Sequence, residues 1–257
     1  MNSLIIGNTS QLSYYFPKEY ERISSRNIEL TNNQYDRVYI CFAEQRTYIK
    51  DNPQIFFDTN VEYTLKLIDH YSKLSNYIIV YGSSELWNNC NGSVDINTSF
   101  NYKPSHYCDS KKLMIEKIKE NSYKNVIVLH PFNFNSIYRK EGFLFYKIFN
   151  SIINEEKITI GNTYFYRELL HPKFVVEQSM KFKTDNIIGT GRLFFVNDFI
   201  RSLYSYFNME YEYFVTEDYK ENISEQNIFY LKTKQIINNN LFDDTIEDIK
   251  KLKKVNE

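Results

Sequence analysis

Short apolar runs alternate with polar stretches along the first half of the chain. Four of these runs, rich in Ile, Val and Tyr, begin at Ser3, Tyr35, Tyr77 and Asn125. Short continuous runs of this kind predict strands that are buried on both faces, as in a parallel sheet. Strands that alternate with helices are typical of doubly wound α/β folds. The pattern therefore predicts an α/β protein with a Rossmann-like, doubly wound parallel sheet.

Helical spacing of apolar residues marks two further stretches. Val61, Leu65 and Ile68 give Asn60–Leu74 one apolar face, which predicts a helix. Asp243–Lys254 is highly charged and carries apolar residues at the same spacing, which predicts an amphipathic C-terminal helix. No repeat or low-complexity tract interrupts the chain.

Length and composition narrow the class of protein. A chain of 257 residues suits one α/β domain, or one such domain with a small lobe. The net charge of −1 lacks the basic footprint of a nucleic-acid-binding protein. No apolar run reaches the length of a membrane span, and the N-terminus lacks a basic region followed by a long apolar core. The odd number of cysteines (Cys41, Cys90 and Cys108) without metal-binding spacing indicates free thiols in a reducing cytoplasm.

A Tyr followed four residues later by a Lys is the main candidate for chemistry. With 23 Tyr in the chain, the pair occurs three times, at Tyr14/Lys18, Tyr107/Lys111 and Tyr230/Lys234. Pro17 interrupts the first pair, and no hydroxyl-bearing strand end precedes the third. On a helix, residues four apart share a face, so the Lys111 ammonium would lower the pKa of the Tyr107 phenol. A phenol of that kind serves as a general acid at a carbonyl or an alcohol.

The strand that begins at Tyr77 ends in Gly82-Ser83-Ser84, which places small polar residues at its carboxyl end. Ligands of open α/β sheets bind at that end, so Ser83 is expected to hydrogen-bond the oxygen that Tyr107 protonates. This combination resembles the extended short-chain dehydrogenase/reductase family, which contains nucleotide-sugar epimerases, dehydratases and reductases. The resemblance extends over roughly residues 3–203 and implies that Ser83, Tyr107 and Lys111 form a catalytic triad.

The same resemblance implies that the chain consists of a cofactor-binding part and a substrate-binding part. Residues 1–135 would form the NADP-binding, Rossmann-like domain. Residues 136–257 would form a smaller substrate-binding part, interleaved with the first. The expected partners are a nucleotide-diphosphate sugar and a second copy of the chain in a homodimer, with neither nucleic acid nor membrane involved.

The resemblance also implies where a nicotinamide cofactor would bind. The family's Gly-rich loop, which carries a pyrophosphate at a helix N-terminus, aligns with Gly7–Ser13, where Ser10 and Ser13 replace two glycines and Ser10 is a candidate cap. His130, in His130-Pro131-Phe132-Asn133, replaces the usual Arg. The implied cofactor contacts are Gly7, Asn8, Thr9, Ser10, Gln11, Leu12, Ser25, Arg26, Phe42, Ala43, Tyr107, Lys111 and His130.

The residues after the second strand bear on which cofactor is used. NAD-preferring sites usually have an acidic residue there, on the ribose 2′-hydroxyl. This chain has Ser24-Ser25-Arg26, and a guanidinium with neighbouring hydroxyls suits a 2′-phosphate. We therefore expect NADP(H) rather than NAD(H). Glu21 and Glu29 stay open as alternative ribose partners.

Substrate contacts are implied for Ser84, Asn133 and Arg167, the last two at the diphosphate, where the fork of an Arg matches phosphate oxygens. Further on, Gly189-Thr190-Gly191 resembles the family's turn before a late helix, for which Asn197 or Asp198 is a candidate cap.

Glu85, two residues after Ser83, bears on the type of reaction. The dehydratases of the family use a Glu here as a base, the reductases keep a Glu near this point, and epimerising reductases have a Cys with a partner His. Residues 134–146 contain no His. The expectation is an NADPH-dependent reductase of a nucleotide-activated 4-keto-6-deoxy sugar, in the biosynthesis of surface-polysaccharide sugars. A 4,6-dehydratase, an epimerase and a catalytically degenerate nucleotide-binding protein stay open, as does a purely structural role for Glu85.

Overall fold

The computed structural model describes residues 2–26, 30–49, 51–218 and 230–256. Its strands are, in chain order, β1 (Ser3–Ile6), β2 (Glu21–Ile23), β3 (Tyr35–Ile40), β4 (Ser75–Tyr81), β5 (Ser93–Val94), β6 (Val126–Pro131), β7 (Asn133–Phe134), β8 (Ile158–Ile160), β9 (Tyr166–Arg167), β10 (Leu169–Leu170), β11 (Asn186–Ile188), β12 (Phe194–Phe195), β13 (Val215–Glu217) and β14 (Lys232–Thr233). Its α-helices are α1 (Gln54–Phe57), α2 (Thr64–Tyr71), α3 (His106–Glu120), α4 (Leu144–Asn154), α5 (Pro172–Lys181), α6 (Val196–Tyr206), α7 (Tyr211–Phe214) and α8 (Leu241–Asn256). Two 3₁₀ helices cover Gln11–Tyr15 and Ser84–Trp87, and the π-helical segment Asp58–Tyr63 joins α1 to α2.

The chain divides into two compact units, each built from separate stretches. The first unit contains Met1–Asn89, Asp95–Phe132 and Val175–Ile188, and the second contains Cys90–Val94, Asn133–Phe174 and Gly189–Glu257. The sequence predicts a boundary after residue 135, with the later part interleaved with the first, and each of these units combines stretches from both sides of that position. The first unit includes β11 and most of α5, which lie beyond residue 135, and the second unit includes β5, which lies before it.

The first unit is organised around a six-stranded parallel sheet with the order β2-β1-β3-β4-β6-β11. Leu4, Ile5, Val38, Ile78 and Ile79 on its inner strands are fully buried, as expected for a sheet covered on both faces. The chain runs outward from β1 to β2 and then crosses back to β3. The sheet therefore has its topological switch point between β1 and β3, and the predicted α/β class with a Rossmann-like parallel sheet is confirmed.

Two local predictions for this unit need correction. The segment after Gly7 forms the five-residue 3₁₀ helix Gln11–Tyr15 instead of a full helix, although Ser10 does cap it, because its Oγ accepts a hydrogen bond from the Leu12 N–H. The segment is short because Pro17, which removes a backbone donor, follows soon afterwards. The helix expected over Asn60–Leu74 begins earlier, at Gln54, and ends at Tyr71.

The second unit has its own apolar core, formed mainly by α4, α6 and α8 with Ile148, Ile152, Ile200, Leu203 and Ile249 fully buried. Short strand pairs surround it: β7 with β10, β8 with β13, β9 with β12, and β5 with β14. The predicted C-terminal helix is present as α8. The cap predicted at Asn197 or Asp198 is wrong, because both residues lie inside α6, whose N-cap is Phe195.

No helix in the described part of the chain combines the length and the apolar character that a membrane span requires.

Candidate active site

Tyr107 and Lys111 both lie on helix α3. Ser105 caps the helix by accepting a hydrogen bond from the Cys108 N–H at 3.2 Å. The buried face of α3 consists of Cys108, Ser110, Lys111, Met114, Ile115 and Ile118. Lys111 therefore takes a position that helical spacing would give to an apolar residue.

The Lys111 ammonium lies in an apolar environment with a backbone acceptor. Its Nζ donates to the carbonyl oxygen of Tyr81, the last residue of β4, at 2.7 Å. The side chain is almost fully buried, and loss of hydration lowers the pKa of Lys111 to about 7. A charged and a neutral amine are therefore both accessible near neutral pH, and only the charged one supports a neighbouring phenolate.

Ser83 lies directly beyond the end of β4 and caps the 3₁₀ helix Ser84–Trp87. Its Oγ accepts a hydrogen bond from the Glu85 N–H at 3.1 Å, which orients the hydroxyl hydrogen towards another acceptor. The position is fixed by Trp87, which is fully buried and packs edge-on against Phe100 and His130. Ser83 is thus a rigidly placed hydroxyl donor at the carboxyl end of the sheet.

Two hydrogen bonds hold α3 against this strand end, one to a residue before Ser83 in the sequence and one to a residue after it. On one side Lys111 Nζ bonds the Tyr81 carbonyl, and on the other the Cys108 Sγ donates to the Glu85 carbonyl at 3.7 Å. Tyr107, one residue before Cys108 and one turn before Lys111, is half-buried. Helix α3 is therefore held against the end of β4 by contacts with residues before and after Ser83.

The His130 ring packs against Gly82 and the backbone of Ser83. A Cβ at Gly82 would come within 2.5 Å of the His130 ring, so glycine is required for the ring to pack there. The ring lies 3.4 Å from the Ser83 carbonyl through Nδ1, and a nitrogen that bonds a carbonyl must carry the proton. Burial lowers the pKa of His130 to about 4, so the ring is neutral at physiological pH.

Glu85 and Ser84, the other two residues of this loop with predicted roles, differ in exposure. The Glu85 Oε2 accepts a hydrogen bond from the Asn88 side chain at 2.9 Å, and the carboxylate is half-buried. Ser84 is buried.

The predicted cofactor loop lies at the switch point between β1 and β3. Gly7 has φ +105°, and a Cβ there would meet Phe42 at 3.3 Å, so only glycine lets the loops after β1 and β3 approach this closely. Phe42 and Ala43 are half-buried there, while Asn8 and Thr9 are exposed and Gln11 and Leu12 are buried. Switch points are where open sheets bind dinucleotides. The residues present therefore fit a nicotinamide dinucleotide, with Lys111 as the buried donor at the neighbouring strand end.

The predicted ribose contacts follow β2. Ser25 is half-buried and Arg26 is exposed, and the Arg26 N–H donates to Ser24 Oγ at 2.9 Å. Glu21 is the first residue of β2, at the amino end of the strand, and its carboxylate accepts a hydrogen bond from Tyr35. The other alternative, Glu29, lies outside the described residues.

Sequence reasoning missed Asn60, which connects Glu44, in the segment after β3, to Ser110 of helix α3. It lies in the π-helical segment and is 1% exposed. Its amide accepts from the Glu44 N–H at 2.8 Å and donates to the Glu44 carbonyl and to Ser110 Oγ. Ser110 Oγ in turn donates to the Tyr107 carbonyl at 2.8 Å. An Asn at an apolar helical position was the available signal, and π-helical turns often occur at functional sites.

Asn60→Ala is expected to lower the free energy of unfolding by roughly 2–3 kcal/mol, because it leaves buried backbone and hydroxyl groups without partners. Urea denaturation measures the effect. Asn89→Ala, which removes an exposed Asn bonded to Asn101, is the matched control and should change stability little. An equally small loss for Asn60→Ala would show that water replaces the amide and that the network has no structural weight.

In the second unit, Asn133 begins β7 and Arg167 ends β9, and both are half-buried. Arg167 lies over the Phe165 ring, and its Nη1 donates to the Tyr166 carbonyl at 3.1 Å. Glu168, a fully buried carboxylate that sequence reasoning missed, follows directly. It accepts hydrogen bonds from the backbone N–H groups of Thr190, Gly191 and Thr233, which ties the strands around Arg167 to the Gly189–Gly191 turn. Burial raises the pKa of Glu168 to about 6.

Among the residues that the structure describes, no three His, Cys, Asp or Glu side chains converge in a way that could hold a metal ion.

Comparisons with solved structures support the fold. MoeE5 in complex with UDP-glucose and NAD is similar with a TM-score of 0.79 at 13% identity over 100% of both chains. RMD from Pseudomonas aeruginosa complexed with NADPH gives 0.76 at 12% identity over 100% of both chains. A UDP-N-acetylglucosamine 4-epimerase from Methanobrevibacter ruminantium M1, in complex with UDP-N-acetylmuramic acid, gives 0.75 at 15% identity over 98% of this chain and 97% of that one. At such identities the likeness concerns the fold.

The sequence itself decides the family. None of the curated proteins matches it. The model of the NAD dependent epimerase/dehydratase family matches residues 20–181, which is more than half of the chain and includes Ser83 and the Tyr107/Lys111 pair. The chain therefore belongs to the NAD-dependent epimerase/dehydratase family of enzymes.

Proposed function

We propose that this enzyme reduces the 4-keto group of a nucleotide-activated 4-keto-6-deoxy sugar with NADPH, in the biosynthesis of surface-polysaccharide sugars. The observation that carries the proposal is the attachment of α3 to the end of β4 on both sides of Ser83. This attachment supports a site at the carboxyl end of the sheet in which the Ser83 hydroxyl, the Tyr107 phenol and the Lys111 ammonium act together. These groups suit the protonation of a single carbonyl oxygen.

Each residue has one part in this chemistry. The nicotinamide, when bound, supplies a hydride. Ser83 donates a hydrogen bond to the carbonyl oxygen of the sugar, and Tyr107 transfers its phenolic proton to the same oxygen as negative charge develops there. Lys111, in its charged form, stabilises the tyrosinate that remains. The proton lost by Tyr107 is replaced from solvent before the next turnover.

The state of Glu85 supports reduction over dehydration. A dehydratase needs a base that can reach a carbon-bound proton, whereas one oxygen of the Glu85 carboxylate is held by a hydrogen bond from Asn88. Reduction at C4 needs no carbon base. Epimerisation would need an acid and a base beside the triad, and residues 134–146 contain no His to act as one of them.

The substrate class is supported by the contents of related folds. The MoeE5 structure contains UDP-glucose and NAD, and the epimerase structure contains UDP-N-acetylmuramic acid. We assign the diphosphate to Asn133 and Arg167 and a sugar contact to Ser84, because a guanidinium and an amide are suitable donors to phosphate oxygens. The homodimer remains a prediction from the resemblance, and the cytoplasmic location remains a prediction from the odd number of cysteines.

The test is incubation with GDP-, dTDP-, CDP- and UDP-4-keto-6-deoxy sugars and NADPH. Consumption of NADPH with one of them, and a product whose mass has gained a hydride and a proton, is the expected result. Conversion of a sugar without net NADPH consumption would instead support an epimerase or a dehydratase. Tight binding of both ligands without any turnover would support a degenerate nucleotide-binding protein.

NADPH is expected to bind roughly ten- to a hundredfold more tightly than NADH, because Arg26 can make charge-assisted hydrogen bonds to a 2′-phosphate. Glu21 lies at the opposite end of β2, which favours Arg26 as the group near the ribose. Arg26→Ala should remove most of the preference and leave NADH binding almost unchanged. Calorimetric titration of both cofactors measures this, and tighter NADH binding by the wild type would refute the assignment.

A further inference from the structure

We infer that Arg22 is a positioning residue of the cofactor site: it sets the shape of the Gly7–Ser10 loop by binding the carbonyl groups of the segment that follows. The inference rests on the proposed use of this loop by a nicotinamide cofactor. Arg22 lies on β2, beside Ile5 of β1, and nothing in its sequence context marks it out.

The guanidinium of Arg22 contacts five backbone carbonyls. Nε and Nη2 bond Ser13 at 3.4 Å, Nη2 also bonds Phe16 at 2.9 Å and Pro17 at 2.8 Å, and Nη1 bonds Lys18 at 3.1 Å and Tyr20 at 2.7 Å. These carbonyls belong to the last part of the 3₁₀ helix and the turn after it. A full α-helix would bond most such groups internally, whereas this short helix leaves them for a side chain.

A closed ring of hydrogen bonds connects Arg22 to Gly7. Arg22 bonds the Ser13 carbonyl, the Ser13 N–H bonds the Ser10 carbonyl at 3.0 Å, and the Ser10 N–H bonds the Gly7 carbonyl at 2.9 Å. The Gly7 and Asn8 N–H groups then bond the carbonyl of Ile23, the residue next to Arg22. Both ends of the segment are thus fixed to adjacent residues of β2. A change at Arg22 is transmitted to the loop through these bonds and not through direct contact with a ligand.

The number of N–H donors distinguishes two possible roles of Arg22, arranging the backbone carbonyls and attracting the cofactor phosphates by charge. Arg presents five N–H donors in a planar fork, whereas Lys has three on a flexible stem. If Arg22 acts by arranging the carbonyls, Lys cannot replace it. If it acted only by attracting the phosphates of a cofactor, Lys would serve almost as well.

The experiment measures NADPH binding to the full-length protein by calorimetry, with Arg22→Ala, Arg22→Lys and the control Arg201→Ala. Arg201 lies in the second unit, where it bonds Asn197 and Glu212. We expect the dissociation constant of NADPH to rise roughly tenfold in both Arg22 variants and to stay unchanged in the control. Turnover at saturating NADPH should be close to that of the wild type.

Rescue by a free ion provides a readout that general destabilisation would not give. Millimolar guanidinium chloride should restore most of the NADPH affinity of Arg22→Ala, whereas tetramethylammonium chloride, a cation without N–H donors, should not. Hydrogen exchange of residues 11–20 without cofactor should be faster in Arg22→Ala and slow again with guanidinium.

Three outcomes would overturn the inference: unchanged NADPH affinity in Arg22→Ala, full affinity in Arg22→Lys, or loss of the fold in both variants. The last would make Arg22 a general stabiliser of the first unit. A wild type that binds neither NADPH nor NADH would overturn the proposed cofactor as well, whereas normal binding by the wild type and by both variants would overturn the role of Arg22 alone.

Discussion

Tyr107→Phe is expected to lower turnover by roughly 10²–10⁴-fold while the fold and the affinity for NADPH stay nearly the same. The variant keeps the ring and removes the proton that the carbonyl oxygen receives. Ser83 alone can donate a hydrogen bond to that oxygen, but the product needs a proton transferred to it. Single-turnover measurement with the accepted keto sugar separates this step from product release.

The control for Tyr107 is Tyr102→Phe. Tyr102 precedes α3, and its hydroxyl donates to Asp109, so the substitution changes a neighbouring phenol outside the triad. It should leave turnover close to that of the wild type. Near-normal turnover in Tyr107→Phe would refute the mechanism, because the proton would then come from a group other than Tyr107.

Lys111→Met is expected to abolish most activity and, at the same time, to raise the free energy of unfolding by roughly 2–4 kcal/mol at pH 6. Burial lowers the pKa of Lys111 from 10.5 to about 7 in the folded protein. Below pH 7 the folded protein therefore contains a poorly hydrated ammonium, and Met of similar length removes that cost. The lost bond to the Tyr81 carbonyl reduces the gain.

The lowered pKa of Lys111 also determines how the free energy of unfolding changes with pH. Between pH 7 and 10.5 the unfolded chain binds the proton and the folded one does not, so wild-type stability rises with pH across this window. The advantage of Lys111→Met should therefore shrink as the pH rises from 7. Activity has the opposite trend, because the wild type needs the charged amine and its kcat/KM should fall as the pH rises through about 7. Urea denaturation at pH 6 and pH 9 checks the first statement, and a variant that is less stable than the wild type at pH 6 would refute it.

The sequence predicted best the features that depend on residue spacing alone, namely the buried strands and the Tyr107/Lys111 pair. The apolar runs that became β1, β3, β4 and β6 are largely buried, and their apolar residues follow one another almost without interruption in the sequence. The Tyr107/Lys111 pair was visible because four-residue spacing on a helix is independent of tertiary structure. Family membership followed from the same residues.

Polar residues with structural roles were much harder to predict. Arg22, Asn60 and Glu168 bond backbone groups that are distant in sequence or lie in irregular segments. Only Asn60 has a local signal, its apolar helical position, and nothing local distinguishes Arg22 and Glu168 from exposed polar residues. The π-helical segment also disturbs the periodicity on which the helix prediction depended. In α2, which follows that segment, Leu67 is buried, whereas Leu65, one of the three predicted apolar positions, is only half-buried.

The assembly of the first unit from three stretches has a consequence for how the protein is made. Its sheet needs β11 beside β6, and Arg37 of β3 donates to the carbonyls of Ser179 and Phe182, at the end of α5. A nascent chain that has emerged only as far as β6 therefore has an open strand edge and an Arg37 side chain that lacks these two acceptors. Since chains emerge from the N-terminus at about 5–20 residues per second, this state lasts for seconds, and it is the period in which chaperones would be most needed.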